Sequence, residues 1–106
     1  MKTVTSAPKS ASRYQEVEQI EKELGVKLVN LFELPEALQI RYNTTHLCVI
    51  TTNELLVYSV PSLQVLFEKT HYDAKQAGLA KRKKWALFFE EQLNEWASLS
   101  GVKLDD

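Results

Sequence analysis

Apolar and polar positions alternate along this chain with two different periods, and the period changes twice. Tyr14, Val17, Ile20 and Leu24 recur every three or four positions, with Glu and Lys between them, which predicts a short amphipathic helix. Ser12 followed by Gln15 has the spacing of a capping box, Glu16 and Glu18 lie where the helix dipole favours anions, and Gly25 stands at a C-terminal cap. Beyond Gly25 the period falls to two. Val26 to Phe32 reads as a strand that Pro35 interrupts, because proline removes a ladder donor. Leu38, Ile40 and Tyr42 then alternate with Gln39, Arg41 and Asn43, which predicts a half-buried strand with a polar outer face. His46 to Thr51, Leu55 to Val60 and Leu63 to Phe67 are further β runs. The short turns Asn43-Thr44-Thr45, Thr52-Asn53 and Pro61-Ser62 join them, as in an antiparallel meander.

From Asp73 the helical period returns. Trp85, Phe89, Leu93 and Trp96 fall within roughly 80° of one another on a helical wheel, while Glu90, Glu91, Asn94, Glu95 and Ser98 face away. Gly78 separates a first turn, Asp73 to Ala77, from the long helix, and Gly101 is its C-cap. Residues 1–11 are polar and aperiodic and read as a flexible tail, and residues 102–106 are expected to fray. This leaves a single domain over residues 12–101. The predicted fold class is α+β: an N-terminal helix, a small antiparallel β-meander of three to five strands, and a long C-terminal helix packed on the sheet. Both helices are expected to cover one sheet face, leaving the other polar.

The chain has 106 residues, enough for one core and too few for a barrel or a full dinucleotide-binding fold. It carries 13 Lys and Arg against 14 Asp and Glu, a net charge of −1, which argues against a protein that is basic overall. One cysteine forms no internal disulfide, and no apolar run approaches the roughly 20 residues that span a bilayer. Met1 to Ala11 has no apolar signal segment, so a cytoplasmic location and no membrane association are expected. On the same ground the acceptor pattern Asn43-Thr44-Thr45 is not expected to carry a glycan.

The parts of an enzyme are missing. His46 and Cys48 would project from one face of a strand, but nothing around Cys48 supplies an oxyanion hole or a helix N-terminus. Adding His71 gives three metal-ligand types without ligand spacing, so neither a metal nor a cofactor is expected. Gly25, Gly78 and Gly101 are too scattered to cradle a phosphate. A helix-turn-helix over Ala74 to Leu79 fails at Lys84 and Asp73, both of which it would need buried.

Charge placement is the uneven feature. Lys75, Lys81, Arg82, Lys83 and Lys84 fall within ten residues, directly ahead of Trp85. Leu87 lies outside the apolar stripe, and Leu66, Leu56, Leu31 and Val29 add apolar surface beyond what a two-layer domain hides. Unpaired edges of a short meander would offer a second route to association. These features point to a non-enzymatic interaction or regulatory module that docks to a protein partner or to a second copy, with contacts at Lys75, Lys81, Arg82, Lys83, Lys84 and Leu87. The alternative is an RNA- or DNA-binding module using the same basic run at the start of the last helix, with Trp85 as a stacking neighbour.

The α-β-β-β-α order and the stretch Arg41-Tyr42 with Leu47-Cys48-Val49 superficially resemble the small Alu-domain proteins of the signal recognition particle. Those proteins bind RNA on their sheet, so the resemblance implies an RNA-facing sheet here. Val26 to Pro35 has no counterpart in that pattern.

Overall fold

A computed structural model describes residues 14–28, 31 and 34–104. The tail expected over residues 1–11, the Ser12 cap, Val29 and Phe32 lie outside the described residues.

The first helix, α1 (Tyr14–Leu24), ends at Gly25, whose φ of 68° lies in the left-handed region and whose N–H returns to the Glu21 carbonyl at 2.8 Å. Four strands follow: β1 (Gln39–Tyr42), β2 (His46–Ile50), β3 (Glu54–Ser59) and β4 (Val65–Thr70). They form one antiparallel sheet in the order β1-β2-β3-β4, so the predicted meander is the observed one. Turn chemistry fixes the register. Asn43 Oδ1 accepts from Thr45 N and His46 N at 2.8 and 2.7 Å, and Thr51 Oγ1 accepts from Asn53 N and Glu54 N. Between β3 and β4 the register shifts beside Val57 and Tyr58, which leaves Leu66 as the extra residue of a bulge.

The expectation of one covered face is overturned: apolar side chains cover both faces of the sheet. Successive residues of a strand point to opposite faces. Leu47 and Val49 of β2 and Leu56 and Tyr58 of β3 join Val17 and Ile20 of α1 in one cluster. Cys48, Ile50, Leu55 and Val57, their alternate neighbours, join Trp85, Phe89 and Leu93 of the last helix in another. A continuous apolar run in β2 and β3 is the signature of a strand buried on both sides, and it overrides the half-polar pattern of β1. Leu56 is therefore only 9% exposed, not a surface leucine. The sheet also presents no bare central face of the kind that the Alu-domain resemblance implies.

Val26 to Phe32 is the second correction. Its described residues, 26–28 and 31, form no strand. Backbone N–H groups of Leu31, Leu34 and Ala37 instead return to the carbonyls of Leu28, Leu31 and Leu34 at about 3.0 Å, a succession of turns with a three-residue step that includes the 3₁₀ turn Leu34–Glu36. Leu28, Leu34 and Ala37 thereby drop into the α1-side cluster, with Leu31 packed against it. The Glu21 carboxylate fixes the entry by accepting Leu28 N at 2.7 Å. Glu23 accepts the Tyr42 hydroxyl at 2.6 Å, and this bond, with Gln19, holds its carboxyl below the usual range.

After β4, Thr70 and Asp73 form a reciprocal capping box for the short helix α2 (His71–Gln76), so Asp73 has a structural role. The chain turns at Gly78 (φ 90°) and passes a 3₁₀ turn, Arg82–Lys84, into α3 (Trp85–Ser100). Each tryptophan of α3 meets a histidine: His71 stacks on Trp85 at 5.6 Å between centroids, and His46 meets Trp96 edge-on at 5.7 Å. Gly101 closes α3 at φ 71° as expected. Beyond it the backbone is anchored through Leu104. Val102 N donates to Ala97 O, Asn43 Nδ2 donates to Lys103 O at 2.6 Å, and Leu104 packs on the α3-side cluster. Among the described residues no helix is long and apolar enough to cross a membrane.

Candidate functional site

The packing of α3 across the sheet creates a furrow along its flank. Ala86, Glu90 and Asn94 are spaced four apart and so share one side of the helix. That side overlooks β1, the edge strand. Gln39 and Arg41 alternate onto the same face and reach the helix, with Gln39 Nε2 donating to Glu90 Oε2 at 2.8 Å and Arg41 Nη1 to Asn94 Oδ1 at 3.0 Å. Around these four side chains and Ile40 lies an open cavity of about 480 Å³. Gln39 Oε1 is buried there with no hydrogen-bond partner, an arrangement that costs roughly 1–3 kcal/mol.

Toward the start of α3 the lining changes character. Leu38, Thr52, Arg82, Lys83 and Ala86 enclose a second cavity, about 410 Å³, with apolar walls. Leu38 remains 47% exposed at its mouth. Arg82 Nη2 donates to Thr52 Oγ1 at 3.3 Å, which fixes the guanidinium over the β2–β3 turn. Lys81, Arg82, Lys83 and Lys84 are all exposed, and none forms an ion pair with another described residue.

Of the six contact residues expected from sequence, the structure brings Arg82 and Lys83 to this cavity, with Lys81 and Lys84 flanking them in the same turn. The run precedes α3 as a 3₁₀ turn, whose three residues per turn point Arg82, Lys83 and Lys84 in different directions, and of these Arg82 and Lys83 line the cavity. Lys75 is elsewhere, on α2, with its Nζ 6.0 Å from the centre of the Trp85 ring. Leu87 is 63% exposed on α3. Trp85 is only 7% exposed and donates through Nε1 to Leu79 O at 2.9 Å, so its ring is core and offers no platform to a base.

Sequence reasoning missed Leu38, Thr52, Ala86, Gln39 and Arg41 as site residues, and placed Glu90 and Asn94 on the solvated side. A helical wheel centred on the apolar stripe does not distinguish a flank facing solvent from a flank facing the sheet edge. The polar alternation of Gln39 and Arg41 against a helix carrying Glu90 and Asn94 was the available signal.

The thiol and imidazole groups do not assemble. Cys48 is buried, and desolvation pushes its thiol up to about 12, with Arg41 pulling weakly the other way. His46 Nδ1 is paired with Thr45 Oγ1 at 2.8 Å. Among the described residues no three His, Cys, Asp or Glu side chains converge. The edges of the sheet are modified too, β4 by its bulge and by Lys69, β1 by the side chains that bridge it to α3. In comparisons with protein-family models, curated proteins and solved structures, none matches this chain.

Proposed function

We propose that this chain is a non-enzymatic docking module that works in the cytoplasm and holds a protein partner at the turn Lys81–Lys84 and the apolar cavity beside it. The observation that carries this reading is the conjunction at one place of four exposed cations without ion-pair partners among the described residues and a cavity with apolar walls. Apolar burial supplies affinity, while unpaired charge supplies orientation and partner choice. Leu87, 63% exposed on α3 and outside the lining of the cavity, offers a separate apolar contact. The rival reading, a module that binds RNA or DNA with the same cations, rests on charge alone, because Trp85 is buried.

The test is amine-directed cross-linking in an extract of the native host, comparing wild type with a variant carrying Arg82→Glu and Lys83→Glu. The docking reading expects a protein cross-linked through Lys81 or Lys84, whose amines the variant keeps, in the wild type and lost in the variant. Light scattering on the purified chain separates a second copy from a foreign partner. Retention on RNA that falls steeply with salt and vanishes in the variant, with no protein cross-linked at the turn, would replace this reading with its rival.

A further inference from the structure

The two cavities beside α3 are consecutive. Ala86 lines the apolar one, and Glu90 and Asn94 line the polar one, in a single row along the helix. From Ala86 to Asn94 the row runs about 12 Å at the rise of an α-helix. Across from it, Leu38 to Arg41 covers about 10 Å of nearly extended backbone. The Gln39–Glu90 and Arg41–Asn94 hydrogen bonds cross between strand and helix, so a segment of three or four extended residues matches that length lying over them, with the apolar cavity open at its Ala86 end. Its chemistry is graded, from cations and apolar walls at the Ala86 end to amide, guanidinium and carboxylate groups at the Asn94 end.

We propose that this furrow holds an extended acidic segment of a partner protein, with an apolar side chain in the Leu38/Ala86 cavity and flanking carboxylates on Arg82 and Lys83. The proposal rests on the docking reading above and names its occupant. Charge complementarity selects the acid: the turn beside the cavity carries four positive charges with no ion pair among the described residues. The apolar walls select a side chain over a phosphate, which would leave the cavity unfilled. Ala86 sets the opening of the cavity, since a methyl group is all that α3 places there.

A phage-displayed library of random nonapeptides, selected on the immobilised full chain, tests this directly. The expected result is enrichment of sequences with Leu, Ile, Phe or Val flanked by Asp or Glu. Their synthetic versions should lose about tenfold or more in affinity for Ala86→Trp and for the Arg82→Glu, Lys83→Glu pair, with circular dichroism verifying that both variants fold. Backbone amide shifts on binding should follow Leu38, Gln39, Ala86, Glu90 and Asn94. The proposal is overturned by any of three results: basic or uncharged sequences enriched, acidic peptides whose affinity survives Ala86→Trp, or no enrichment at all. If it falls while a cross-linked partner is still lost in the Arg82→Glu, Lys83→Glu variant, the docking reading stands and only its occupant is wrong. If neither the cross-link nor peptide binding is seen, both fall.

Discussion

The two faces of the sheet are covered by different means. On one, α3 lays a regular stripe, Trp85, Phe89 and Leu93, against Cys48, Ile50, Leu55 and Val57. On the other, α1 contributes only Val17 and Ile20 to the buried set, and Leu28, Leu34 and Ala37 from the turns that follow complete the cover. A helix of 16 residues supplies most of the cover on its side, with Ala74 of α2, Leu79 and Leu104 at its margins, whereas one of 11 needs irregular chain beside it. The difference teaches where a protein of this size has room for function. The α3 side keeps its apolar stripe over the middle of the sheet and leaves its flank open along β1, so the furrow belongs to the regular face.

The strongest attempt to break this comparison is Phe89→Ala. The side chain is fully buried, and its removal is expected to cost about 3–5 kcal/mol in chemical unfolding, a large part of the roughly 5–15 kcal/mol of an ordinary domain. Leu28→Ala, on the other face, is expected to cost about 2–5 kcal/mol in a urea titration, although the residue lies in no regular element. A loss below about 1 kcal/mol there would show that the turns are packing only loosely and that α1 covers its face alone.

Cys48 sharpens the comparison through pH. Its thiol is held near 12 by burial, against an ordinary value near 9 in the unfolded chain. Below pH 9 both states keep the proton and stability does not depend on this group. Between 9 and 12 the unfolded chain releases it while the folded one retains it, so stability falls as pH rises, with a slope approaching about 1.4 kcal/mol per pH unit. The comparison is wild type against Cys48→Val, which cancels the titration of tyrosines and lysines. Equal alkaline slopes would mean that water reaches the α3-side core. In the native state at neutral pH the thiol is expected to be inert to iodoacetamide.

Smaller effects are expected where each helix is fixed at its ends. Thr70→Ala removes the capping hydroxyl of α2 and is expected to cost about 1 kcal/mol in thermal or chemical unfolding. Gly101→Ala meets no steric neighbour, so its cost, about 1 kcal/mol or less, comes from the left-handed backbone alone. A neutral result at Gly101 would indicate that the C-terminus of α3 rearranges freely.

Much of this architecture was legible in the residues. The first three strands and their turns followed from alternation and from Asn43, Thr52-Asn53 and Pro61, and the α3 stripe from its 3.6 period. The run expected over Leu63 to Phe67 starts too early: Leu63, at φ 57° with its N–H on the Ser59 carbonyl, still belongs to the turn, and β4 runs from Val65 to Thr70. The segment after Gly25 was not legible as it folds, because Leu28, Leu31, Leu34 and Ala37 recur every third residue, a step that is neither helical nor extended and is easily read as loose alternation. The two-sided sheet was obscured by β1, whose polar residues suggested a wet face when they line a furrow. Of the site, the cations were visible as a run, but the cavity was not. Leu38, Thr52 and Ala86 come from three separate stretches of chain and share nothing until the fold brings them together.

The pairing of each tryptophan with a histidine has an optical consequence. Trp85 sits in the core near the start of α3, and Trp96 lies half-buried one turn from its end, stacked on Phe67 and edge-on to His46. Their emission therefore reports on the two ends of one helix without any added dye. Fraying that begins at Gly101 reddens the Trp96 component first, and only lifting the whole of α3 from the sheet moves Trp85 with it.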